Sequence, residues 1–336
     1  MQAWRAALKA DPLPWLLERE DPAVRHLALR RLCDEPEDGT EVRRSLKAAM
    51  RADPIAATLA AQDPAGFWDK PGAGYGRKYS GTVWSLIFLE QFGADGADPG
   101  VRAGCRYVLD HTQTVSGGFG ASGALPERPP PPSAVVHCLN GNLLRSLIAF
   151  GWLDDERVRW AVAWEATAIT GDGHDRFYAS TTSGPGFGCG VNGGLPCGWG
   201  AVKAMRALAS IPTRRRTRSV RAAIQRGTDF LLSVDPSTAA YPTDTRVSSS
   251  WFKLGFPSGY VADVLQVGET LAELGLAKDA RLEGLVDLVQ GKQAPGGRWH
   301  NEYPYRGKTW ADLDRRGEPS KWVTLRAATF LKAALG

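Results

Sequence analysis

The sequence predicts an all-α chain folded as an α/α toroid, a barrel of five or six helix pairs in two concentric layers. Three observations lead there. The phrase Gln-x-x-x-Gly-x-aromatic occurs as Gln62-Asp-Pro-Ala-Gly66-Phe-Trp68, Gln113-Thr-Val-Ser-Gly117-Gly-Phe119 and Gln293-Ala-Pro-Gly-Gly297-Arg-Trp299. Each copy follows one helix-like apolar segment and precedes another, the mark of a repeat. The second helix of each unit is apolar on nearly every side, as in Trp84-Ser-Leu-Ile-Phe-Leu89, Leu143-Leu-Arg-Ser-Leu-Ile-Ala-Phe150 and Val261-Ala-Asp-Val-Leu265. The first helix carries a charged face, so one layer is buried all round and the other on one side only.

Residues 1–50 read as short helices that cap the toroid and belong to the same domain, and residues 51–336 form the toroid itself. In Asp21-Pro22-Ala-Val24-Arg-His-Leu27-Ala28, Asp is placed as N-cap and Pro at the first helical position, followed by apolar residues at helical spacing. The segment resembles a HEAT-type helix. Outer helices are predicted from near Pro54, Asp98, Asp154, Thr217 and Asp279. Inner helices follow from near Ser80, His137, Cys197, Gly259 and Ser320, spaced roughly 60 residues apart. The N-terminal helices can supply a sixth pair.

Composition narrows the function classes. A content of 43% hydrophobic and 23% charged residues is that of a globular protein with a large core. The net charge of +5 comes without a basic block interleaved with aromatics, which argues against a nucleic-acid partner. The dense run Arg214-Arg215-Arg216, with Arg218 and Arg221, reads as a solvated face opening a surface helix. There is no membrane-length apolar run, and the start Met1-Gln-Ala-Trp-Arg5 lacks a signal-peptide pattern. The five cysteines are an odd number without a secreted disulfide framework. A cytoplasmic protein with reduced thiols is expected.

The Gln-x-x-x-Gly-x-aromatic phrase after an outer helix resembles the QW motif of terpenoid cyclases and the related repeat of protein prenyltransferases, both α/α toroids. The likeness extends upstream of the second copy through Arg102-Ala-Gly-Cys-Arg-Tyr107 and of the third through Leu285-Val-Asp-Leu288; near Phe230-Leu-Leu-Ser-Val234 only the helix half remains. The resemblance implies a central cavity entered through the loops before the inner helices, and an isoprenoid or similarly apolar substrate. The acid motifs of those enzymes are absent. Asp312-Leu-Asp314-Arg315 lacks the last carboxylate of Asp-x-Asp-Asp, and Asp154-Asp155-Glu156 continues with Arg157 and Val158 and reads as a helix N-terminus.

The entering loops hold the unusual residues. Tyr75 and Tyr79 precede the first inner helix, and His137-Cys138-Leu-Asn140-Gly-Asn142 stands at the second. Cys189 and Cys197 flank a Gly-rich loop before Trp199, and Trp251, Phe252 and Tyr260 come at the fourth helix. Tyr303, Tyr305, Trp310, Lys321 and Trp322 come at the fifth. Cys33 and Cys105 lie on apolar helix faces and read as core. Asp263 is read as a carboxyl on the face of a buried helix shared with Tyr260, paired or kept neutral as an acid. Asp69, Tyr75, His137, Cys189 and Cys197 follow the chain order of the Asp, Tyr, His and two Cys of linalool dehydratase–isomerase, another helical toroid, and are similar to that set.

These residues point to an enzyme that acts on an apolar small molecule by cyclisation, isomerisation or dehydration. Asp263 or Asp69 is the expected acid, with His137, Cys189 and Cys197 as proton acceptors. Tyr75, Tyr79, Asn140, Asn142, Trp199, Trp251, Phe252, Tyr260, Tyr303, Trp310 and Trp322 are expected to line the cavity. No cofactor is favoured. The alternative is a zinc-dependent prenyl or group transferase with metal on His137, Cys138, Cys189 and Cys197, although Leu195 stands where the prenyltransferase motif has Asp. A non-enzymatic toroid that binds a lipid or peptide is the remaining reading. Gly188-Cys189-Gly190-Val191-Asn192 lacks the Gln of an internal thioester and excludes one.

Overall fold

Most long helices begin where the sequence provides a cap. The computed structural model describes residues 3–122, 129–173 and 184–336. Among these, the α-helices are α1 (Ala3–Ala6), α2 (Leu13–Leu16), α3 (Pro22–Arg31), α4 (Thr40–Ala49), α5 (Ile55–Ala60), α6 (Thr82–Gln91) and α7 (Pro99–His111). The rest are α8 (His137–Ala149), α9 (Glu156–Thr170), α10 (Gly198–Ala209), α11 (Arg218–Leu231), α12 (Val264–Glu273), α13 (Glu283–Gly291) and α14 (Lys321–Leu335). Asp98 accepts from the amides of Gly100 and Val101, Asp155 from Arg157, Thr217 from Val220 and Ser320 from Val323. Each cap satisfies amides that have no intrahelical acceptor.

One inner helix departs from expectation. α12 begins at Val264 rather than near Gly259, because Asp263 is its N-cap and accepts from Gln266 N at 2.8 Å. Tyr260 and Asp263 therefore do not share a helix face, and Tyr260 belongs to the entering loop. The arginine run also does not open α11. Arg216 bonds the carbonyls of Ala209 and Ile211 at the end of α10, Arg215 pairs with Asp154, and the helix starts at Arg218.

The inner helices form a closed ring. α6 packs on α8, α8 on α10, α10 on α12, α12 on α14 and α14 on α3. Leu27 of α3 meets Gly93 just after α6 and completes the circuit. Outside it, α7 lies against α6, α9 against α8 and α11, α11 against α10, and α13 against α12 and α14. The all-round apolar pattern has its expected consequence: every residue of α6 from Thr82 to Leu89 is buried.

The repeated phrase clamps one unit to the next. The Gln62 amide donates to Gly66 O at 3.2 Å and to Gly100 O, at the start of α7, at 3.0 Å. Gln113 repeats this with Gly117 O at 2.8 Å and Arg157 O at 2.7 Å. Gln293 donates to Gly297 O and Ala10 O, both at 3.0 Å, and accepts from Lys9 N at 2.7 Å. Gly66, Gly117 and Gly297 have φ of 97°, 99° and 80° and lie directly against the next unit's backbone, so both the turn and the close approach require glycine. The third clamp thus ties the last unit to the N-terminal segment. Gln293→Ala is expected to lower unfolding free energy by about 1–3 kcal/mol, because buried carbonyls lose their donor. A urea midpoint equal to wild type would contradict a ring closed by this side chain.

Charged side chains gather mostly in the C-terminal halves of the inner helices, and Arg326 extends the network to Asp263 at the N-terminus of α12. Arg145 of α8 meets Glu90 of α6 at 3.2 Å and Glu273 of α12 at 2.6 Å. Arg206 of α10 lies 3.9 Å from Glu269 and 3.7 Å from Glu273. Arg326 of α14 meets Asp263 and Glu269, each at 2.9 Å. Arg31 of α3 feels the field of Glu90. All six inner helices contribute, and the arginines balance the carboxylates. The arginines work against a burial cost and still hold Glu269 ionised, its pKa lowered to about 2.

Candidate functional site

At the opposite end, the loops entering the inner helices bring aromatic rings together. Tyr75 stacks on Trp84 at 5.1 Å between ring centroids, and Trp84 lies 6.4 Å from Tyr260. Trp199 lies 6.1 Å from both Tyr260 and Trp251. Tyr79 meets Trp84 edge-on at 5.0 Å and stacks on Tyr305 at 3.9 Å, and Tyr303 packs on Tyr305 at 5.7 Å. Trp84, Tyr79, Trp251 and Tyr305 are buried, while Tyr75, Trp199, Tyr260 and Tyr303 are half-buried. Burial pushes the Tyr75 and Tyr79 phenols up, so both keep their protons. The Lys78 ammonium sits over the cluster, 4.0 Å from the Tyr260 centroid and 5.7 Å from that of Tyr75.

The cysteine loop is a tight hairpin beside this cluster. Cys197 N donates to Phe187 O at 2.8 Å and Cys189 N to Leu195 O at 3.1 Å, with Gly193 and Gly194 at positive φ in the turn. This register places Cys189 and Cys197 on facing sides of the hairpin, close enough for each thiol to shift the other's titration. Cys197 also caps α10, its sulfur accepting from Gly200 N at 3.5 Å. The Cys197 thiol lowers the Cys189 pKa to about 6 despite burial, helped by the amides of Val191 and Asn192 and by the charge of His137. Cys197, as the donor, is pushed up. The two thiols titrate as a coupled pair of which Cys189 is the more acidic member. Burial raises Cys138 to about 11, and its sulfur lies 3.7 Å from the Tyr75 hydroxyl, which joins the thiols to the aromatic cluster.

His137 opens α8 and is fully engaged. Its Nδ1 meets Glu165 Oε1 at 2.7 Å and its Nε2 meets Gly184 O at 3.1 Å. Both nitrogens are therefore engaged by neighbouring oxygens. Burial opposes the charge, yet the Glu165 carboxylate and the Gly184 carbonyl raise the pKa on balance. Through Gly184 O the ring anchors the hairpin, and through Glu165 it ties the hairpin to α9. For the same reason the donor set does not fit the zinc alternative. Neither His137 nitrogen is free to turn to the cysteines, Cys138 faces Tyr75, and among the described residues no three His, Cys, Asp or Glu side chains are grouped to hold a metal ion.

Several other expected site residues have structural posts. Asp69 has φ of 65° and is bound by Arg77, which holds its pKa below the ordinary value and makes it a poor proton donor. Asp263 caps α12, accepts from Gly255 N at 3.1 Å and meets Arg326 through both oxygens, so it is not aimed at the aromatic cluster. Asn140 spans Phe119 N and Glu165, and Asn142 donates to Gly259 O at 3.1 Å, so both tie helices to loops. Trp310 donates to Ser80 O and Ser85 Oγ at the start of α6. Phe252 packs against the core in a short 3-10 turn. Trp322 stacks on Phe256 at 4.6 Å and lines a separate cavity of about 350 Å³ with Trp15, Asp312 and Asp314. Cys105 is buried core, whereas Cys33 is half-buried.

Three charged positions in this region escaped the sequence reading. Glu165 stands alone in the apolar run Trp164-Glu165-Ala166 of α9, and Lys203 is likewise isolated in α10. Both are fully buried. Lys203 bonds Gln266, and burial drives its pKa well down. A solitary charge inside an apolar helix was the available signal. Lys78 gave none, since a loop lysine is ordinarily solvated.

No family model and no curated protein matches the chain. Among solved structures it is similar to type II terpene cyclase MstE from Scytonema. A variant of that enzyme in complex with geranylgeranyl dihydroxybenzoate is 14% identical, with a TM-score of 0.45 over 94% of this chain and 87% of the other. The apo enzyme is 15% identical, with a TM-score of 0.30 over 87% of this chain and 97% of the other.

Proposed function

We propose that the protein is an enzyme that dehydrates or isomerises an isoprenoid or similarly apolar alcohol by acid–base chemistry. What supports this most is the Cys189–Cys197 pair on one hairpin, with Cys189 acidified by its neighbour, beside a cluster of aromatic rings in which the Tyr75 hydroxyl lies 3.7 Å from the Cys138 sulfur. Such a pair can give one proton and take another. As the C–O bond breaks, the leaving hydroxyl takes the Cys197 proton and departs as water. The Cys189 thiolate removes a proton from the adjacent carbon, whose electron pair becomes the new double bond. Transfer of that proton from Cys189 to Cys197 restores the pair. Positive charge on carbon during C–O cleavage is steadied by the ring faces of Tyr75 and Tyr260, each worth about 0.5–2 kcal/mol.

The test is product analysis by gas chromatography after incubation with geraniol, farnesol or geranylgeraniol. The wild type is expected to form alkenes or rearranged alcohols and Cys189→Ser is not. Binding of an alcohol without conversion, equal in both proteins, would identify a lipid-binding toroid and overturn the enzymatic reading.

A further inference from the structure

Two hydrogen-bond donors stand at the aromatic cluster without an acceptor. The indole Nε1 of Trp199 is buried and has no partner. The Lys78 ammonium, on the solvent side, pairs with no carboxylate among the described residues. The nearest acid in its own loop, Asp69, is taken by Arg77. Both donors converge on one ring: Lys78 lies 4.0 Å over Tyr260, and Trp199 meets Tyr260 edge-on at 6.1 Å.

A buried N–H left unpaired is costly, and native structures rarely leave one so unless something else fills the need. Here no oxygen among the described residues is placed to accept from the Trp199 indole, while an ammonium lies over the Tyr260 ring of the same cluster. We infer that this rim is a head-group subsite for an anionic oxygen, a carboxylate or a diphosphate, on a ligand whose apolar body lies against Tyr75 and Trp251. One head oxygen accepts from the Trp199 indole and the charge pairs with Lys78, which leaves its place over Tyr260 without losing a partner. The inference rests on the reading of an apolar substrate given above and narrows it: the substrate is an amphiphile with an anionic head besides the reacting hydroxyl.

Titration calorimetry with farnesoic acid, farnesyl diphosphate, farnesol and farnesene tests this. The wild type is expected to bind at least one anionic probe about tenfold more tightly than farnesol. The tighter of the two names the head. Lys78→Met is expected to weaken that probe about fivefold, the scale of an exposed ion pair, and leave farnesol unchanged, with Lys78→Arg restoring the loss. Trp199→Phe keeps a ring but loses the N–H, and is expected to weaken the anion about tenfold and leave farnesene unchanged. Farnesol bound as tightly as both anions, or a Lys78→Met loss equal across all four probes, would overturn the subsite. Binding of none of them would overturn the apolar-substrate reading with it, whereas anion binding that obeys these variants without any turnover overturns only the catalytic reading.

Discussion

Arg326→Met is expected to destabilise the fold by about 3–5 kcal/mol, the cost of leaving buried carboxylates without their cation. The guanidinium holds Asp263 and Glu269 and donates to Gly255 O, and so ties α14 to α12 and to the loop before it. A total stability of about 5–15 kcal/mol makes this a large fraction, readable as a lower urea midpoint. The effect depends on pH in a fixed sense. The Glu269 pKa falls from 4.5 unfolded to about 2 folded, so its pairing stabilises fully above the unfolded value and is lost as pH falls toward about 2. The variant is expected to lack that acid-side loss. Arg281→Met, which removes a surface pair with Asp279, is expected to leave the midpoint unchanged.

Cys189→Ser is expected to lower turnover of the isoprenoid alcohol by about 10²–10⁴, the range for a positioned proton acceptor. A serine hydroxyl at that position stays protonated near neutral pH, so the variant keeps the hairpin but loses the base. Because the thiolate is the active form, wild-type kcat/KM is expected to rise with pH through about 6 and to fall away below it. Cys197→Ser removes the thiol that most lowers the Cys189 pKa, and is expected to move that limb to higher pH. Limbs at the same pH in both proteins would show that the two thiols do not titrate as a coupled pair.

The ring was legible because its causes are local and repeated. The Gln-x-x-x-Gly-x-aromatic phrase recurs because each clamp needs an amide, a left-handed glycine and a ring at fixed offsets, and caps such as Asp98, Thr217 and Ser320 mark helix starts directly. The start of α12 was misplaced because Asp263 looks equally plausible as a cap and as a buried helix residue; only Arg326, distant in sequence, decides it. The site was half legible. Aromatics and cysteines in the entering loops do meet there, as their convergence at one end of a ring requires. What partners each polar residue was not readable, since Glu165 for His137 and Arg77 for Asp69 are set by packing. The acids chosen from the sequence are bound by arginines, whereas the two loop cysteines are set beside each other by a hairpin register.

The most direct measurement is the thiolate absorbance of the native protein titrated between pH 4 and 10, as the difference between wild type and Cys189→Ser. The account predicts a step with its midpoint at about 6, appearing as pH rises because the thiolate is the form above the pKa. A midpoint at about 8.5 or higher, the value of an ordinary thiol, would contradict it and remove the base from the proposed reaction.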